Sequence, residues 1–219
     1  MKGNLSHFEI TPKMLDLLVE IGFRLGGIDK DAIRRARCTV CDLHTINPFS
    51  IDDMNMAYCT LKGEKEASWG FRLSGSFFGE FVRKAGDGAD KYYYAASSAN
   101  IVEWLVKLIQ WYKESDLPPL IKSLVFEYEF ERIRPFEDCN ERMGELWRRL
   151  LLGQWDELFY WIPTDVYTEN RRDEYFYSIW EGNTMPFGIR DTLDSTLFIE
   201  LMLEIIRDSL WGWNGRATV

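Results

Sequence analysis

Arg134-Pro135-Phe136-Glu137-Asp138-Cys139-Asn140-Glu141-Arg142-Met143-Gly144 is the stretch on which the reading of this chain turns. Pro135 lacks an N–H and disfavours helix in the residue before it, so a helix arriving from the N-terminal side stops here. Residues 141–152 repeat apolar side chains at helical spacing, so a second helix departs. The polar turn between them presents the free backbone N–H groups of a helix N-terminus, which suits an anion. Asp138 is of the type that holds a divalent cation, and Arg142 of the type that meets a phosphate. On local chemistry alone, a corner whose Asp and Asn merely cap is the favoured alternative.

The segment leading into the turn reads two ways. Phe126-Glu127-Tyr128-Glu129-Phe130-Glu131 alternates like a strand, whereas Leu120, Leu124, Val125, Tyr128 and Ile121, Val125, Phe130, Ile133 cover two faces of a helix. Helix is predicted, because a lone buried strand here has no partner within reach. Glu127, Glu129, Glu131, Arg132 and Arg134 then form a solvated or ion-paired helix face. Glu127 or Glu129 would serve as a base only if buried.

Further out, Thr11-Pro12 and the stripe Met14, Leu17, Leu18, Ile21, Leu25 predict a first helix stopped by Gly26-Gly27. Asp29 and Asp31 open a second through Arg37, and Ser50 with Asp53 caps a third that ends near Gly63. Residues 71–95, punctuated by Gly75, Gly79, Gly86 and Gly88 among aromatic pairs such as Phe77-Phe78, predict a β-hairpin. Helices follow from Ser97 to Pro118, over 155–162, over 169–181 and over 192–210. The fold class is all-α with one small hairpin.

The 219 residues carry 26 basic and 35 acidic side chains, net −9, with 46% apolar residues. That excludes a basic nucleic-acid footprint and the regime of disorder. One domain spanning 1–219 is expected, since no linker or repeat divides the chain. Neither a signal peptide nor a membrane span is evident, and the greasiest late stretch is broken by Glu200, Glu204, Arg207 and Asp208; the expected location is cytoplasmic. Cys38, Cys41, Cys59 and Cys139 read as reduced thiols, and Cys38-x-x-Cys41 with His44 lacks the second pair a zinc site needs.

Residues 123–147, read as SLVFEYEFERIRPFEDCNERMGELW, resemble the signature of the Fic (Fido) family, whose pattern is H-P-F-x-D-G-N-G-R-x-G-R after a helix. Trp69-Gly70-Phe71-Arg72, Phe159-Tyr160-Trp161-Ile162-Pro163 and Phe198-Ile199-Glu200 strengthen the likeness. The resemblance implies a Fic-fold helical bundle, with N-terminal helices over 1–65, a core over 66–212 and a hairpin flap within 71–95. In active members the histidine is the general base that lets a target hydroxyl attack the α-phosphate of ATP, the acidic residue holds Mg²⁺, the glycine loop cradles phosphates and two arginines clamp them.

This chain departs from that pattern where the chemistry lies. The base position is Arg134, whose guanidinium cannot accept a proton. Cys139 and Glu141 replace the cradle glycines, and Glu145 replaces the second arginine, exchanging attraction for repulsion. Pro135, Phe136, Asp138, Asn140 and Arg142 keep the pattern. The inhibitory motif S-x-x-x-E-G-N of many relatives falls at Cys41, Thr45, Ile46 and Asn47, with only Asn47 retained. His7 and His44 lie outside the motif. The expectation is a pseudoenzyme defective in AMP transfer, with ATP and Mg²⁺ weakly bound or absent and at most a weak metal at Asp138. It would bind a protein partner along 71–95 and neither nucleic acid nor membrane. A transferase of altered chemistry, with Arg134 on a phosphate-bearing donor, is one alternative; a regulatory subunit oligomerised with an active Fic relative is another.

Overall fold

The computed structural model describes residues 5–28, 43–63, 70–73, 79–83, 90–181 and 193–213. The helix expected over Asp29–Arg37, the Cys38 and Cys41 thiols and the Phe77-Phe78 pair lie outside these residues.

Helix α1, Pro12–Gly26, starts where the Thr11 hydroxyl accepts the Met14 N–H at 3.2 Å and buries Met14, Leu17, Ile21 and Leu25. Helix α2, Ile51–Lys62, is capped by Ser50, whose Oγ accepts from the Asp53 N–H at 3.1 Å, and stops at Gly63 with φ 73°, a conformation glycine adopts without a Cβ penalty. Strands β1, Gly79–Arg83, and β2, Asp90–Tyr94, pair antiparallel in register Gly79↔Tyr94 to Arg83↔Asp90. A 3₁₀ turn at Ser98–Asn100 leads into α3, Ile101–Glu114. Then come α4, Pro119–Ile133, and α5, Asn140–Trp155.

The remaining elements correct the sequence reading in detail. The helix expected over 155–162 is a 3₁₀ turn, Glu157–Tyr160, because Asp156 is extended and its side chain caps Leu158. The helix expected over 169–181 begins at Arg172, as α7 at Arg172–Glu181, and is preceded by a helix the sequence reading missed, α6 at Thr164–Asn170, the two separated at Arg171 (φ −119°, ψ 29°). Helix α8 runs Thr196–Gly212 rather than from 192.

The sequence-level ambiguity of α4 has a physical origin: 12 of its 15 residues are buried, so it is enclosed on nearly every side and shows no single apolar stripe. Leu120, Ile121, Leu124, Val125 and Tyr128 face a core built with α1, α7 and α8. Phe126, Phe130 and Ile133 face another with α2, α3 and α5. Helix α4 is thus the shared wall of two cores, and the turn that follows it is anchored in the second through Phe136. Among the described residues no helix is long and apolar enough to cross a membrane.

Candidate functional site

The turn between α4 and α5 is held by its own residues. Arg134 ends α4 in the left-handed region (φ 45°), its N–H donating to Phe130 O at 2.9 Å, and Cys139 precedes α5 in the same region (φ 56°). Both positions carry a backbone strain that glycine would avoid. Buried Asn140 offsets this by reaching back across the turn: its Oδ1 accepts the Phe136 N–H and its Nδ2 donates to Phe136 O, each at 3.0 Å. Phe136 stacks on Tyr58 with centroids 4.0 Å apart and lies 5.3 Å from Phe71.

The roots of the hairpin are pinned to this turn. Phe71 bridges Phe136 antiparallel, and the Arg72 N–H donates to Pro135 O at 2.9 Å. The buried Arg72 guanidinium donates to the carbonyls of Ile133 (2.9 Å), Arg134 (2.5 Å) and Ala96. The Ala96 N–H closes on Arg132 O at 3.0 Å. One arginine therefore ties together the two ends of the hairpin segment and the last carbonyls of α4, which would otherwise lack partners. Helix α7 borders both strands.

Each residue that departs from the expected pattern is engaged within the chain. Arg134 is 5% exposed and its Nη1 lies 3.4 Å from Glu131 Oε2, itself fully buried. Glu141 takes both Arg172 nitrogens, at 3.0 and 2.8 Å. Glu145 is largely buried against Arg148 and Thr168, and burial pushes its carboxyl up. Cys139 is half-buried and its thiol is pushed up by burial, then by the Asp138 charge. Arg142 and Glu137 are exposed.

The solvated half of the expectation for the glutamate face of α4 is corrected. Glu127, Glu129 and Glu131 are buried, because α4 is covered on both sides. Glu129 pairs with Arg132 at 2.8 Å, and Glu127 Oε2 lies 2.9 Å from Arg148 Nε without the alignment of a hydrogen bond. Burial, against the pull of Arg148, pushes Glu127 up to about 7. Tyr175 of α7 approaches its Oε1 at 3.5 Å. Enclosed among α4, α5 and α7, Glu127 is a buried partner of Arg148.

Asp138 meets two residues of α2 that the motif reading did not single out: Tyr58 Oη donates to Oδ1 at 2.9 Å and Lys62 Nζ to Oδ2 at 2.7 Å. The Lys62 ammonium holds the Asp138 carboxyl below its ordinary value. Both Asp138 oxygens are thus engaged within the chain, at the position where the resemblance implies a Mg²⁺ ligand. No cluster of three potential metal ligands occurs among the described residues. Thr45 and Asn47 lie exposed just ahead of α2, where Asn47 makes a local turn, its Oδ1 accepting the Phe49 N–H at 3.0 Å. Trp147 Nε1 donates to Pro48 O at 3.0 Å and so holds this segment against α5. Cys59 is a buried core thiol. His7, exposed, pairs by its backbone with residues 193–195.

Comparison with known proteins places this geometry. Residues 62–152 match the model of the Fic/DOC family. A Fic family protein from Desulfovibrio desulfuricans G20 superposes with a TM-score of 0.71 at 20% identity, over 93% of this chain and 74% of that one. A Fic domain containing signaling protein from Bacteroides thetaiotaomicron VPI-5482 gives a TM-score of 0.48 at 16% identity, over 91% and 69%. No curated protein sequence matches the chain.

Proposed function

We propose, from the match of residues 62–152 to the Fic/DOC family model, that this chain is a Fic-fold protein that has lost AMP transfer and works by binding another protein. The observation that carries the reading is the state of Arg134. It stands where a proton acceptor is required, cannot act as one, and is turned inward onto buried Glu131. The same burial counts against Arg134 as the holder of a different anionic donor. Glu141 occupies Arg172, and Glu145 lies against Arg148 in place of an arginine that would clamp phosphate, so neither position offers a nucleotide a free cation.

The partner is expected along 71–95, where a two-stranded sheet offers an outer edge for strand addition. Its roots are rigidly tied to the α4–α5 turn through Arg72, so a docked peptide would sit beside the altered site. Labelled ATP with the protein alone and with a host lysate tests the loss of transfer: no labelling above background is expected, and stoichiometric AMP on any protein overturns the reading. Phe77→Pro and Phe78→Pro, in the segment outside the described residues, should each abolish partner pull-down while leaving the helical circular-dichroism signal intact. Retained pull-down in both variants moves the partner to another surface.

A further inference from the structure

Tyr58 and Lys62 stand one turn apart on α2 and close on the two oxygens of a single carboxylate of the turn, at 2.9 and 2.7 Å. Tyr58 is fixed there: its ring stacks on Phe136 at 4.0 Å and 10°, and a Cβ added to Gly70 would come within 2.6 Å of it. Asn55, on the same helix, accepts the Gly70 N–H at 2.8 Å. Lys62 is placed by the end of the helix. Gly63 turns the chain immediately after it, and a cation in the last turn complements the helix dipole.

We propose that Lys62 is a tethered cation standing in for a divalent metal at Asp138, so that the turn is fastened to α2 by an internal ammonium and takes up neither Mg²⁺ nor Mn²⁺. The expectation of a metal rests on the Fic/DOC reading; the clamp itself rests on geometry alone. A metal ion needs at least one carboxylate oxygen at about 2.0–2.1 Å in a near-octahedral shell. Here one oxygen holds a charge-assisted bond and the other a phenol hydroxyl. A divalent ion approaching the pair also meets the ammonium at close range, which even at the dielectric of water weakens its binding by more than about tenfold. The chain thereby keeps the mechanical part of the metal's task, which is to hold the Asp138 end of the turn, without the metal.

Paramagnetic broadening of amide NMR signals by Mn²⁺ tests this, because it reports weak binding at a known place. In the wild-type chain Mn²⁺ should leave the amides of 137–140 no more broadened than other exposed acidic positions. In Lys62→Met those amides should broaden selectively, with an affinity at least about tenfold higher, and Lys62→Met with Asp138→Asn should lose the effect. Selective broadening in the wild type overturns the inference, as does a folded Lys62→Met that gains none. The wild-type measurement stands whether or not the variant folds. AMP transfer assayed on the same sample separates the two readings: Mn²⁺ bound without transfer removes this inference and leaves the proposed function, whereas transfer removes the proposed function.

Discussion

Pro135, Phe136 and Asn140 hold the backbone of the α4–α5 turn, whereas Arg134, Cys139, Glu141 and Glu145 stand where the family pattern places its base, its cradle glycines and its second arginine. The first group makes contacts that any turn of this shape requires: the Asn140 amide on both polar groups of Phe136, and the Phe136 ring between Tyr58 and Phe71. In the second group each of the three charged residues has a charged or polar partner: Glu131 on the preceding helix for Arg134, Arg172 of α7 for Glu141, Arg148 of α5 and Thr168 of α6 for Glu145. Decay of an unused site would leave such charges unmatched. The matching knits this turn to the fold, and the two groups should respond differently to mutation.

The largest effect is expected from Arg148→Met. It strands Glu127 in a buried position, and breaking a buried pair from one side costs about 3–5 kcal/mol. Urea unfolding at two pH values checks it, with the larger loss at pH 8 than at pH 6, where Glu127 takes up a proton. In the wild type the sign follows from the raised value: the contribution of Glu127 is fully present below its ordinary 4.5 and is lost as pH rises through about 7. Stability should therefore fall between about pH 5 and 8, and fall less in Glu127→Gln. A pH-independent cost for Arg148→Met would mean that Glu127 is not its partner in solution.

Next in size is Asn140→Ala, which leaves the buried Phe136 N–H and C=O without their partner and should cost about 1–3 kcal/mol in the same unfolding experiment. Exposed Arg142→Ala should change stability by no more than about 0.5 kcal/mol. Equal losses at these two positions would erase the distinction between scaffold and ligand-facing residues.

Among the altered positions the contrast is in binding. Glu141→Gly with Glu145→Arg removes two negative charges, adds one positive charge and releases Arg172 from its bidentate pair. ATP affinity measured by calorimetry should rise more in this variant than in Arg134→His, which exchanges one cation for a base and strips Glu131 of an ion pair. If Arg134→His alone improves binding while the two glutamate replacements do not, electrostatic repulsion is not what limits this site.

Much of this was legible in the residues. The turn, its two flanking helices and the altered positions could be read directly because motif residues are close in sequence. The choice of helix for 120–133 could be read because two apolar faces coexist there. The partners could not. Lys62 meets Asp138 across 76 residues, Arg72 meets Arg134 across 62 and Arg172 meets Glu141 across 31, and nothing in local spacing announces such pairings. Glu127, Glu129 and Glu131 were misread as solvated in part because a glutamate signals exposure unless the helix carrying it is enclosed, and enclosure of α4 is a property of the assembled bundle. The break at Arg171 and the helix before it are hidden for a different reason, since residues 168–174 carry no apolar side chain to set a period.

Transfer from labelled ATP, measured side by side for the wild-type chain and for Arg134→His with Cys139→Gly, Glu141→Gly, Glu145→Arg and Lys62→Met, the last freeing Asp138, tests the central claim most directly. The wild type should give no AMP-modified protein, and transfer should reappear only in the combined variant, where a base and a phosphate cradle are restored together. Stoichiometric transfer by the wild type, with Arg134 in place, would contradict the account.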